Sequence, residues 1–340
     1  MNIKDYGYVP GNETGPGIPA RVTAVHKERY ALVCEQGEIY ARLKTREYYG
    51  EGQPFPTVGD FVMVHYIPDG DSQILATLPR RTYFSRRDPY PGQREQAIAA
   101  NFDYVFIMQS LNQDFNPKRL ERYLTLAWQS GATPVVVLTK ADLTADYFGY
   151  LRQVERVAAG VDTFVVSTRT GYGLEGLTRY TQPGKTLVFL GSSGVGKSSL
   201  VNALAGDTVM AVGGIREDDS KGRHTTTHRQ LLMLESGAMI IDTPGMRELG
   251  MWDVSEGLGE AFADVEQFIG KCRFSDCRHE SEPGCAIKAA IAGGELDIAR
   301  WESYRKLKEE AVDRDELLRR KREWSKNLSK FTKQRKKEIW

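Results

Sequence analysis

Two textures of hydrophobic spacing divide the chain. From Ala20 to about Arg81, apolar and polar positions alternate over short runs. The clearest are Arg21-Val22-Thr23-Ala24-Val25, Tyr30-Ala31-Leu32-Val33-Cys34, Ile39-Tyr40-Ala41-Arg42-Leu43 and Phe61-Val62-Met63-Val64-His65-Tyr66, separated by Gly37, Gly50, Gly59 and the turn Pro68-Asp69-Gly70. Alternation of this kind predicts strands with one buried face. Four or five such strands in roughly sixty residues suit a small β-barrel. An OB-like barrel is the expectation, and an SH3-like barrel is the alternative with nearly the same pattern. Before it, residues 1–18, with Pro10, Gly11, Gly15, Pro16 and Gly17, read as a flexible lead-in.

From Tyr104 onward the strands become continuous apolar runs, Tyr104-Val105-Phe106-Ile107-Met108 and Thr133-Pro134-Val135-Val136-Val137-Leu138. Between them, Pro117 to Ser130 has helical spacing, with Leu120, Tyr123, Leu124 and Trp128 on one face. Buried runs alternating with amphipathic helices predict a parallel sheet covered by helices, and the pattern continues to about residue 250. Beyond Ala261 only helix-forming sequence and a cysteine cluster follow. The expected organisation is therefore multidomain: residues 1–84 as lead-in plus OB-like barrel, 85–258 as an α/β domain, and 259–340 as a helical domain.

Composition narrows the classes. The 340 residues are 41% hydrophobic and 27% charged, which excludes wholesale disorder. No apolar run is long enough to span a bilayer, and the first thirty residues lack the pattern of a signal peptide, so a cytoplasmic protein with no membrane partner is expected. The net charge of +1 conceals an asymmetry. Residues 300–340 carry 15 basic against 8 acidic side chains, a net of +7, which leaves −6 on the rest. A basic tail on a mildly acidic body suggests a polyanionic partner, or else a solvated helix face. Three of the four cysteines crowd into residues 272–285, which in a cytosolic chain points to metal before disulfide.

The strongest local chemistry is Gly191-Ser192-Ser193-Gly194-Val195-Gly196-Lys197-Ser198, with the spacing of a phosphate-binding loop. The apolar run Thr186 to Leu190 leads in and a helical run from Ser198 to Leu204 leads out. Glycines there let backbone N–H groups turn toward a phosphate, and the helix N-terminus adds partial positive charge. Lys197 is expected at the β- and γ-phosphates and the Ser198 hydroxyl on Mg²⁺. Thr139-Lys140-Ala141-Asp142 follows a buried strand. A carboxylate at Asp142 can accept from both N1–H and the exocyclic amine of guanine, a donor pair that adenine lacks. Ser167 ends another strand, in a small polar loop that could brace the base. Ile240-Ile241-Asp242-Thr243-Pro244-Gly245 is a strand ending in Asp-x-x-Gly, where Asp242 would hold Mg²⁺ through water and the Gly245 N–H would sense the γ-phosphate. Between these elements lies Gly222-Arg223-His224-Thr225-Thr226-Thr227. One of its threonines, with Thr226 the candidate, would complete the Mg²⁺ shell.

Together these motifs resemble those of translation-factor-like GTPases in rearranged order, with the base reader first and the phosphate loop after it. A circularly permuted GTPase with a barrel before it and a cysteine/histidine cluster after it is similar to the RsgA/YjeQ family. That resemblance implies GTP hydrolysis stimulated by the small ribosomal subunit, a role in its late maturation, and contact with its rRNA. Carried onto this chain, it implies that Gly191, Ser192, Ser193, Gly194, Val195, Gly196, Lys197, Ser198 and Ser199 bind phosphates, while Thr139, Lys140, Ala141 and Asp142 read guanine. Thr139 departs from the more usual Asn. Met246 follows Gly245, where many GTPases carry a water-orienting glutamine. The family uses a histidine at the motif position of His224, which makes it the catalytic candidate.

Cys272, Cys277, His279 and Cys285 supply three thiolates and one imidazole within fourteen residues, a closed set suited to one structural Zn²⁺. Cys34, left over on a predicted strand, reads as a core residue. The expected protein is a monomer holding Zn²⁺ and Mg²⁺ with GTP. Two rivals remain at this level, a P-loop ATPase and a nucleotide-dependent RNA-binding module without significant turnover.

Overall fold

The computed structural model describes residues 1–11, 16–27, 29–44, 48, 53–86, 96–208, 210, 230–242 and 255–311. They fall into two compact units, residues 1–87 with 94–249, and residues 88–93 with 250–340.

The first unit begins with the barrel. Its strands are β1 (Ile18–Val25), β2 (Tyr30–Cys34), β3 (Gly37–Leu43), β4 (Phe61–His65) and β5 (Ser72–Thr77). β1 pairs antiparallel with both β2 and β4, β2 with β3 and β4 with β5, while β3 and β5 run parallel, so the ring closes as β1-β2-β3-β5-β4. The parallel closure makes this the OB arrangement rather than an SH3-like one. Alternation does what the pattern requires: Ala20, Val22, Leu32, Cys34, Ala41, Val62, Val64 and Ile74 fill the interior. Cys34 is a buried, unbridged core residue, as expected.

A hairpin, β6 (Tyr83–Arg86) with β7 (Gln96–Ala100), leads into the second sheet. The sheet is built from β8 (Tyr104–Ser110), β9 (Thr133–Thr139), β10 (Thr163–Val165), β11 (Thr186–Leu190), β12 (Gln230–Met233) and β13 (Met239–Asp242). Their spatial order is β10-β9-β8-β11-β13-β12, parallel except for β12 against β13. Helices α1 (Pro117–Gln129), α2 (Phe148–Val157) and α3 (Lys197–Ala205) follow β8, β9 and β11. In α1, Asn116 caps the N-terminus by accepting from Arg119 N, and Pro117 occupies the first turn, where a missing N–H costs nothing. Leu120, Tyr123 and Leu124 are buried on the expected face.

Barrel and sheet are joined. β1 pairs with β12 at Ala24 and Gln230, which makes one eleven-stranded sheet. At the joint lies Arg21, a fully buried arginine. Its guanidinium donates to Tyr6 O (2.5 Å), Gly59 O (3.2 Å) and Asn101 O (2.8 Å), contacts Met239 Sδ at 3.2 Å, and stands 4.9 Å from the Phe61 ring centre. Burial pushes its pKa down to about 9, so it remains charged at neutral pH. Gly59 O keeps a second donor in Asn101 Nδ2, whereas Tyr6 O and Asn101 O receive their side-chain hydrogen bonds, among the described residues, from Arg21. Arg21→Leu should therefore destabilise the first unit by about 2–4 kcal/mol, since each buried carbonyl left unpaired costs about 1–3 kcal/mol. An unchanged urea midpoint would count against that role.

The described part of the second unit is helical: α4 (Ser255–Ala261), α5 (Ala263–Glu266), α6 (Ala286–Gly293) and α7 (298–311). Tyr304 stacks on Trp301 and meets Phe262 edge-on, and buried Arg300 grips Asp264 with two N–H bonds of 3.0 Å.

Candidate functional site

The carboxyl ends of β8, β9, β11 and β13 lie side by side, and every described member of the expected nucleotide site sits on that edge. Open α/β sheets bind ligands there, where chain connections leave in opposite directions.

The phosphate loop runs from the end of β11 to the start of α3. Gly194 and Gly196 adopt φ of +69° and +105°, which L side chains rarely take, so the loop needs glycine at both. Gly191 is required for a different reason. A Cβ there would stand 3.0 Å from Val195 Cγ1 and 3.1 Å from Met108 O. Val195 is buried and roots the loop in the core, whereas Ser193 and Gly194 form its exposed crown. Lys197 arches back, its Nζ donating to Gly191 O at 3.3 Å. The first N–H groups of α3, at Lys197, Ser198 and Ser199, have no acceptor within the helix and give this end its affinity for anions.

The segment expected to read the base follows β9. Thr139 is buried, and its Oγ1 lies 2.6 Å from Val195 O and 3.3 Å from Gln109 O. A hydroxyl has one proton, and the shorter bond takes it, so Thr139 ties the base-reading segment to the phosphate loop. Lys140 adopts φ +60°, and Ala141 N donates to Val166 O at 3.1 Å. This kink carries the chain past the Ser167 loop. There Ser167, itself buried, donates from Oγ to Asp142 Oδ1 at 2.6 Å. That hydrogen bond, assisted by Arg169 and Lys140, holds the exposed Asp142 carboxyl below the usual carboxylate range.

Asp242 ends β13, whose register places Ile240 and Ile241 beside Leu187 and Val188 of β11. Burial raises the Asp242 pKa, with the Lys197 charge opposing it. Thr139, Lys140, Ala141, Asp142, Ser167, residues 191–199 and Asp242 thus converge on one edge. His224, Thr226, Gly245 and Met246 lie outside the described residues, as does the tail beyond residue 311.

One contact of the phosphate loop carried no signal in the sequence. Ser192 Oγ donates to Asp114 Oδ2 at 2.6 Å, from a loop between β8 and α1 that carries no motif.

In the second unit, Cys272, Cys277, His279 and Cys285 bring their ligand atoms within 4.8 Å of one another, a group that could hold a metal ion. His279 Nδ1 stands 3.4 Å from Cys272 Sγ, 3.7 Å from Cys277 Sγ and 3.4 Å from Cys285 Sγ, while Cys272 and Cys285 Sγ are 4.0 Å apart. A tetrahedral ion with typical bond lengths to thiolate and imidazole requires about 3.8 Å between sulfurs and about 3.6 Å between sulfur and nitrogen. The donor set fits. His279 reaches it through a left-handed backbone, φ +63°, and its ring packs edge-on to Trp301 at 5.3 Å.

Similarity to known proteins runs along most of the chain. A family model described as RsgA GTPase matches residues 77–252. "Small ribosomal subunit biogenesis GTPase RsgA 2" of Listeria monocytogenes serotype 4b (strain F2365) is 51% identical over 291 residues, which are 85% of this chain and 82% of that protein. The protein of the same name from Vibrio parahaemolyticus is 43% identical over 319 residues, 93% of this chain and 86% of that one. Among solved structures, YjeQ from Thermotoga maritima superposes with a TM-score of 0.64 at 28% identity, covering 85% of this chain and 96% of that one. YloQ, described as a circularly permuted GTPase, has the same fold, with a TM-score of 0.61 at 24% identity over 90% of this chain and 99% of that one.

Proposed function

Since the chain belongs to the RsgA GTPase family and is a GTP-hydrolysing enzyme, we propose that it acts in late maturation of the small ribosomal subunit, which stimulates its turnover, and that it binds rRNA. The observation that carries the guanine reading is the ionised Asp142 carboxylate, held by Ser167 on the same edge as the phosphate loop. Only Oδ1 accepts from Ser167, which leaves acceptor capacity for the two donors of guanine; an ATPase would have no use for it.

In this reading Asp142 accepts from the base, the Lys140 stem packs along it, Ala141 and Ser167 shape its edge, and Thr139 fixes that loop against Val195. Residues 191–199, Asp242 and Gly245 surround the phosphates. Ser198 and Thr226 would hold Mg²⁺, whose charge would offset that of the phosphates. Lys197 and the N–H groups at the start of α3 stabilise negative charge as water attacks the γ-phosphorus and the bond to the β-phosphate oxygen breaks, giving GDP and phosphate. Met246 cannot orient that water, so His224 takes this role, accepting a hydrogen bond from it through a neutral imidazole. Cys272, Cys277, His279 and Cys285 would hold one Zn²⁺, and four protein ligands would give it a structural role.

Two surfaces suit RNA. One is the basic tail. The other is the β3 face of the barrel, where Tyr40 is 44% exposed, the Arg29 guanidinium lies 3.8 Å from its ring centre, and Arg29 and Arg42 flank Asp71. An exposed ring set among cations offers bases a stacking platform, and this is the side on which OB barrels receive oligonucleotides. Among the described residues no helix is long and apolar enough to cross a membrane. A cytoplasmic monomer, divided near residues 84 and 258 into barrel, GTPase and zinc domains, completes the proposal.

The test is GTP turnover against added small or large ribosomal subunits. Small subunits should raise the rate and large subunits should not. His224→Ala should keep nucleotide binding and lower the stimulated rate by about 10²-fold, the usual scale for a group handling the attacking water. Equal response to both subunits would refute the partner, and turnover within twofold of wild type would remove His224 from the chemistry.

A further inference from the structure

We propose that Asp114 is a positioning residue of the phosphate loop, acting through the Ser192 hydroxyl. The proposal rests on the assignment of residues 191–199 as the phosphate site.

The loop from β8 to α1 is built to present this carboxylate. The Asn112 side chain accepts from Ser110 Oγ (2.8 Å) and Asp114 N (3.0 Å), and Asn116 caps α1 while its own N–H donates to Gln109 Oε1 at 3.3 Å. Both ends of the six-residue connection are thereby pinned. Arg119 of α1 grips Asp114 of this connection by three contacts: Nη1 to Oδ1 at 3.2 Å, Nη2 to Oδ2 at 3.0 Å, and Nη2 to the Asp114 carbonyl oxygen. Arg119 Nη2 also lies 3.4 Å from Gln109 Oε1. Gln109 belongs to β8, and its main-chain oxygen is the longer-range partner of Thr139. A polar chain therefore runs from Gln109 of β8, through Arg119 and Asp114, to the phosphate loop.

That chain leaves buried polar atoms without partners, Gln109 Nε2 and Arg119 Nε. Unpaired buried donors are costly, and their retention fits side chains oriented for the sake of the carboxylate they support.

The phosphate loop is thus held at two points. Val195 O accepts from Thr139 at 2.6 Å, and Ser192 Oγ donates to Asp114 at 2.6 Å. Ser193 and Gly194, the exposed crown, are suspended between them, with Gly194 in a conformation that a free chain visits as one choice among several. Fixing the loop before a phosphate arrives removes an ordering cost from binding. A charged acceptor suits the task, because hydrogen bonds to carboxylates are roughly twice as strong as neutral ones. A carboxylate near a phosphate site would ordinarily repel its ligand. The paired Arg119 guanidinium offsets that charge, so the clamp outweighs the repulsion.

The experiment measures GDP and GTP dissociation constants and steady-state turnover of the full chain, with melting temperature as a check on folding. Ser192→Ala removes the clamp without changing any charge. It should weaken GDP and GTP binding equally, by about 5- to 10-fold, and raise KM while kcat stays within twofold, because preorganisation acts on ground state and transition state alike. Asp114→Ala should do the same, and the double variant should be no worse than either single one, the signature of one shared interaction. Asp114→Asn, which keeps an acceptor oxygen, should recover most of the affinity. Dissociation constants within twofold of wild type for Ser192→Ala, or effects that multiply in the double variant, would overturn the proposal. So would tighter GTP binding by Asp114→Asn with Ser192→Ala unaffected, since the carboxylate would then only repel. Wild-type protein that binds neither nucleotide would instead overturn the phosphate-site assignment beneath it.

Discussion

Asp142→Asn is expected to lose GTP affinity by up to about 10⁴-fold while gaining xanthosine triphosphate. The Asp142 carboxylate receives Ser167 Oγ on Oδ1 at 2.6 Å, and in the proposed reading its remaining lone pairs would accept from the base. In asparagine, one oxygen becomes an amide that donates, so it faces guanine donors with a donor of its own. Sites built around a specific hydrogen bond discriminate by about 10⁴-fold or more when a partner is left unpaired. Xanthine carries a carbonyl where guanine carries its amine, which restores the match. Competition of GTP, XTP and ATP against labelled GDP reads all three outcomes, and an unchanged GTP affinity would sink the base assignment. The pH dependence follows from the same contact. Ser167 holds the Asp142 pKa below the ordinary carboxylate value, so the carboxylate is present above that range and base recognition fades only as pH falls through the lowered value.

The other large effect is expected from Cys277→Ala, or from chelation of the metal. Structural zinc supplies about 10–16 kcal/mol of apparent binding free energy in small domains, more than the whole stability of most units that size. The described core of the second unit is small, consisting of Phe262, Val265, Ile287, Trp301, Tyr304 and a few neighbours. It is also attached to the cysteine/histidine group directly, since the His279 ring packs on Trp301 and Cys285 immediately precedes α6. Removing a ligand should therefore abolish the cooperative melting of this unit and its share of helical circular dichroism, while GDP binding by the first unit persists. Metal-free protein with an intact melting transition would refute a stabilising role.

Much of the site was legible because its chemistry is local. A strand, a glycine-rich turn and a helix start supply the phosphate loop within some fifteen consecutive residues, and each glycine answers to a backbone angle or a close approach at its own position. Asp142 and Ser167 could be read in the same way, as polar residues ending apolar runs. The barrel strands showed in their alternation, although β5, Ser72–Thr77, carries the run Ile74-Leu75-Ala76 in place of alternation. The rearranged order of motifs exposed the permutation without any coordinate.

Sequence alone therefore determined the element types, the motifs and their order, and the cysteine/histidine group that could hold a metal. Only the tertiary structure decided which barrel closes, since the parallel pairing of β3 with β5 joins strands that no periodicity distinguishes. It also decided that β12 bridges to β1, and that Arg21, an ordinary charged position in a strand pattern, is the buried joint with Met239, 218 residues away. The Thr139–Val195 and Asp114–Ser192 bonds span 56 and 78 residues. The physical reason is common to all of these. Backbone propensity and hydrophobic period act over a few neighbours, whereas a hydrogen bond between distant segments forms only after the core has brought them together, and one serine or aspartate on a loop carries no mark of the partner it will meet.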